Sequence, residues 1–61
     1  MRHEMKCFYY KMVVRKTGKV YMSNFGWAES FEALKANQET RVVACIQISE
    51  SEFHALRAQG I

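Results

Sequence analysis

Four side chains of the types that bind metals or act as nucleophile and base stand out: His3, Cys7, Cys45 and His54. Structural zinc sites favour ligands paired closely in sequence, as in C-x2-C. Here three, thirty-seven and eight residues separate successive members, so no metal site is expected. A cysteine nucleophile with His54 as base needs hydrogen-bond geometry and donors for an oxyanion. A chain of 61 residues leaves little volume for such a pocket. Glu50 and Glu52 suggest an acid pair, but they follow Ser49 at a helix start, where capping and the helix dipole account for them. The three glycines are isolated, so there is no phosphate-cradling loop. The expectation is a protein that is not an enzyme and holds no cofactor or metal.

The elements that position these residues read as β-β-α-β-α in a single small domain, residues 1–61. Residues 5–15 alternate and are rich in Phe, Tyr and Val, the pattern of a strand. "RKTGK" is the turn, with Gly18 ending a three-residue loop that places Met12 opposite Met22 and Val14 opposite Val20. "SNFGW" is expected to break the second strand. A helix over about Ala28 to Ala36 would carry Trp27, Phe31 and Leu34 as one apolar stripe. "TRVVACIQIS" is the third strand, with Val42, Ala44, Ile46 and Ile48 as its apolar face. The last helix is specified best. Ser49 and Glu52 form a capping box, and Gly60 with Ile61 suits a Schellman stop.

The fold class expected is α+β, with a three-stranded antiparallel or mixed sheet in the order 2-1-3. Both helices are expected on one face, made by Phe8, Tyr10, Met12, Val14, Val20, Met22 and the apolar side of strand three. The opposite face would then stay open. It would display Tyr9, Lys11, Val13, Arg15, Tyr21, Ser23, Phe25, Arg41, Val43, Cys45 and Gln47.

Charge adds one clue. The formal net charge is +3, but Arg2, Lys6, Lys11, Arg15, Lys16 and Lys19 all precede Val20, against Glu4 alone. A basic hairpin can attract phosphates or an acidic protein surface, and lysines on exposed strands also discourage edge-to-edge association. No run approaches the ~20 apolar residues of a membrane-spanning helix. The start lacks the apolar region of a signal peptide. With only two cysteines no disulfide framework is evident, so a cytoplasmic protein with reduced thiols is expected.

Tyr9, Lys11, Arg15, Tyr21, Phe25 and Arg41 are the candidate binding residues. Aromatic residues and arginine dominate interface hot spots, which points to a protein partner, from a host or as a second copy in a homodimer. The same types stack bases and meet phosphates in single-strand nucleic-acid binders, which is the alternative; no aromatic-glycine RNP motif accompanies them. A plain solvent face is the third reading. In brevity and plan the chain resembles the small accessory proteins of phages and mobile elements, a resemblance that covers no specific motif and transfers no functional residue. It implies a protein that binds and modulates a host protein.

Overall fold

The computed structural model describes residues 4–61. Two long strands, β1 (Lys6–Val14) and β2 (Val20–Ala28), form a hairpin. Helix α1 (Phe31–Gln38), strand β3 (Val43–Ile48) and helix α2 (Glu50–Ala58) follow. The sheet is antiparallel throughout, in the order β2-β1-β3. The α+β class and the strand order are as the alternation indicates.

Helix placement is not. The expected single covered face is replaced by two: the helices lie on opposite sides of the sheet. Phe31 of α1 meets Phe8 edge-on at 6.0 Å, whereas Phe53 of α2 lies 5.0 Å from Tyr9. Phe8 and Tyr9 are neighbours on one strand, so their side chains point to opposite faces. The cause is that both alternating sets of the hairpin carry large side chains. One set supplies Tyr10 and Met12 to α1; the other supplies Tyr9 and Phe25 to Phe53.

The main core lies under α1. Tyr10, Met12, Ala28, Leu34 and Cys45 are buried there, with Phe8, Met22, Phe31 and Val43 packed around them. Strand β3 is therefore reversed from its expected facing. Met12 stands opposite Cys45 and Lys11 opposite Ile46, so Val43, Cys45 and Gln47 turn towards α1. Ala44, Ile46 and Ile48 turn to the α2 side, with Val42 of the preceding loop beside Arg15. Volume decides the matter. Tyr10, Met12 and Leu34 already fill the α1 layer, and the small thiol of Cys45, 2% exposed, completes it. Close packing of this kind outweighs the apolar count of a face.

Three local expectations change as well. The turn is four residues long, not three: the Val14 N–H donates to Lys19 O at 2.8 Å, and the Gly18 N–H to Val14 O at 2.7 Å. Gly18 has φ of 75°, the left-handed value its place requires. Val13, not Val14, then faces Val20, and a bulge that accommodates Tyr21 restores Met12 to Met22. Strand β2 also runs through Gly26 instead of breaking there. Gly26 lies opposite Phe8, and a Cβ on it would come within 3.2 Å of Leu34 Cδ1, so this glycine admits α1 rather than making a turn. Helix α1 consequently begins at Phe31, capped by Ser30, whose Oγ accepts the Ala33 N–H. Trp27 belongs to β2, not to the helix stripe, and is 62% exposed.

Helix α2 follows its sequence signals. Ser49 Oγ accepts the Glu52 N–H at 3.1 Å. At the far end Ile61 N–H donates to Leu56 O and Gly60 N–H to Arg57 O, with Gly60 at φ 85°, which is the Schellman pattern. Among the described residues no helix is long and apolar enough to cross a membrane.

Candidate protein-binding surface

The face expected to stay open is half covered. Helix α2 lies over β1 and β2. Tyr9 sits beneath it among Phe25 at 6.1 Å, Phe53 at 5.0 Å and His54 at 6.5 Å. Burial, and then the Glu50 carboxylate and Cys7, push the Tyr9 phenol above its ordinary value of 10.0. Lys11 Nζ donates to Glu52 Oε2 at 3.1 Å. Ser23 is fully buried, its hydroxyl donating to Ile61 O at 2.9 Å. Of the six candidates, Tyr9 and Lys11 therefore support α2. Phe25 packs edge-on against Phe53 at 5.8 Å and remains 49% exposed. Tyr21 and Arg41 are exposed. Arg15 is tied down: it pairs with Glu39 at 3.1 Å, and its Nε donates to Thr40 O. Val43, Cys45 and Gln47, expected on this face, lie on the other.

What remains open on the α2 side is the half over β1 and β3. Its floor is Val13, Ala44 and Ile46, continued by Val42. Val42 is 63% and Ile46 42% exposed. The strip ends in a basic pole. The Arg15 N–H donates to Val42 O at 2.9 Å, which brings the hairpin turn with Arg15, Lys16 and Lys19 beside Arg41. Glu39 is the acid at that end, paired with Arg15. A second exposed group, Met5, Phe25 and Trp27, lies on the far side of α2.

Neither sheet edge offers a clean ladder. In an antiparallel pair hydrogen-bonded and non-bonded residues alternate. Arg15 bonds β3 and Val14 bonds β2, so Ser23, Phe25 and Trp27 on β2, and Val43, Cys45 and Gln47 on β3, direct their backbone groups outward. Phe25 N–H is taken by Asn24 Oδ1 at 2.9 Å, and Ser23 is buried. On β3, Thr40 both donates its N–H to Val43 O and accepts the Val43 N–H on Oγ1. Glu39 Oε2 accepts the Cys45 N–H at 3.3 Å. These side chains blunt both edges against strand addition.

Sequence reasoning missed Val42, Ala44, Ile46 and Trp27. The signal for the first three was the apolar character of both alternating sets in β3. For Trp27 it was the unbroken alternation Ser23, Phe25, Trp27. Cys7 and Cys45 lie on opposite faces, contrary to the shared face expected, and Cys45 is buried; His54 is exposed on α2 and 3.4 Å from Glu50. His3 lies outside the described residues.

Comparison with protein-family models, with curated proteins and with solved structures found no match.

Proposed function

We propose that this chain is a non-enzymatic protein-binding module, of the kind by which small accessory proteins of phages and mobile elements hold and modulate a host protein. One observation carries the reading. The more apolar side of β3, with Val42, Ala44 and Ile46, is turned away from the main core and lies under neither helix. Exposed apolar surface of this kind in a small domain marks association sites. With both edges blunted, recognition proceeds through side chains on the face rather than by strand addition.

The test is capture from bacterial lysate with the tagged protein, with and without nuclease, beside an Ile46→Glu variant shown to be folded. A stoichiometric protein band that survives nuclease and is lost with Ile46→Glu supports the module. Capture unaffected by the substitution overturns it.

A second reading has its own support in the basic pole of Arg15, Lys16, Lys19 and Arg41 beside exposed Tyr21. These are the parts of a single-strand nucleic-acid site. Binding of that kind weakens steeply with salt through counterion release. Recovery of nucleic acid that vanishes with nuclease, and no surviving protein band, favours it.

A further inference from the structure

We infer that the turn end of the hairpin, residues 15–19 with Arg41 at the same end, is a binding site for the phosphodiester backbone of nucleic acid, held by its phosphates and not by its bases. The inference rests on the nucleic-acid reading, names the part of the ligand that is held, and drops the preference for single strands.

The cations at this end are uncompensated. Arg15 pairs with Glu39 at 3.1 Å. Among the described residues Lys16, Lys19 and Arg41 have no carboxylate within ion-pair distance, and all three are exposed. Arg41 stands at this end because Val42, the next residue, accepts the Arg15 N–H at 2.9 Å. The other carboxylates lie elsewhere. Glu4 and Glu29 adjoin the open end of the hairpin, where Lys6 pairs with Ala28. Glu32, Glu50 and Glu52 stand in the first turns of the helices. An unneutralised cluster of this kind draws anions.

The donor types select phosphate. Phosphate oxygens are met by Lys and Arg, by hydroxyls and by backbone N–H groups, whereas Lys is depleted in protein interfaces. The turn offers Lys16 and Lys19, and the N–H groups of Lys16 and Thr17, which have no acceptor among the described residues. Thr17 Oγ1 accepts the Lys19 N–H at 3.2 Å and keeps its own proton to donate. Stacking has little to work with there. Phe25 and Trp27 stand opposite Tyr9 and Cys7, six and eight residues along β1 from Arg15. At ~3.3 Å per residue they are about 20 and 26 Å from the turn. Exposed Tyr21 lies nearer, but one ring gives no track for successive bases.

The experiment titrates the protein into fluorescently labelled oligonucleotides of mixed sequence, one single-stranded and one duplex, and follows anisotropy over a range of salt. Both should bind, the duplex at least as tightly. Three phosphate contacts give a log–log salt slope of about −2.7 for duplex and about −2.1 for single strands, so duplex affinity should fall roughly fortyfold from about 50 to 200 mM salt. Lys16→Glu with Lys19→Glu should lower affinity about tenfold or more and take about two contacts from the slope. Lys6→Glu with Arg57→Glu changes the net charge equally but away from the turn, and should lower affinity less than about threefold. None of these four side chains has a bonded partner among the described residues, so both double variants should fold, which circular dichroism checks. Equal loss with the two pairs would make net charge the cause and overturn the site. So would polyglutamate binding as tightly as the duplex, or no anisotropy change at the lowest salt. Binding to single strands alone, lost with Tyr21→Ser, would overturn this inference and leave the single-strand reading standing.

Discussion

The carboxylate of Glu39 accepts the backbone N–H of Cys45 at 3.3 Å while pairing with Arg15 at 3.1 Å. One side chain therefore closes the outer edge of β3 and fixes the hairpin end against the α1–β3 loop. Glu39→Ala should cost about 1 kcal/mol, the net worth of a partly exposed charged hydrogen bond. It should also free an edge donor. Urea denaturation and light scattering are the checks; a variant as stable and as monodisperse as the parent would refute the dual role.

Gly26 is set by the approach of Leu34. Gly26→Val puts a branched side chain where a single Cβ already meets Leu34 Cδ1 at 3.2 Å. Overpacking of this sort costs about 1–3 kcal/mol. Gly60→Ala, at φ 85° with nothing near its Cβ, should lose about 1 kcal/mol through backbone strain alone. Melting curves of the two variants separate crowding from conformation, because only Gly26→Val should be relieved by Leu34→Ala in a double-mutant cycle.

Alkali should unfold the protein through its main core. Burial, and then Glu39, raise the Cys45 thiol above its ordinary 9.0, against a smaller lowering by Lys35. Burial and then Cys45 likewise raise the Tyr10 phenol above 10.0, Asn24 opposing. The folded state thus holds these protons to higher pH than the unfolded chain. Stability is fully present below the unfolded values and falls as pH rises through about 9 and then 10. Cys45→Ser and Tyr10→Phe should flatten that fall, measured by denaturation between pH 8 and pH 11.

Trp27 should reverse the role its helical spacing suggests, whereas Phe53 should behave as a core residue. Trp27→Lys should change stability by less than about 0.5 kcal/mol, because surface substitutions usually do. Phe53→Ala should cost about 3 kcal/mol, as for a buried aromatic. Trp27 fluorescence should resemble indole in water in the folded state. A blue-shifted spectrum would contradict its exposure.

The legible parts of this fold were those written in neighbouring residues. Ser49 caps α2 through the Glu52 N–H, although the Glu52 carboxylate goes to Lys11, and Gly60 with Ile61 makes the expected stop. Gly18 takes its left-handed conformation, but in a loop one residue longer than expected. The strand order followed from alternation. The facing of β3 did not, because Val43, Cys45 and Gln47 compete with Val42, Ala44 and Ile46 for the same core, and the winner depends on the volume left by Tyr10, Met12 and Leu34. The candidate site inherited that error. Its aromatic members Tyr9 and Phe25 were read as free because nothing local in the last helix tells Phe53 which side of the sheet to take.

Among the described strands β1 alone has two ladder neighbours, and with helices on opposite faces its side chains enter both packed layers. Its amides should be the last to exchange with deuterium. The α2 layer, resting on the Tyr9, Phe25 and Phe53 rings with the Lys11–Glu52 and Ser23–Ile61 bonds beside them, should open first and at lower free energy than the whole. A partner that settles beside α2 would slow that opening, so the exchange rates of Phe53 and Leu56 would report occupancy of a surface neither residue touches.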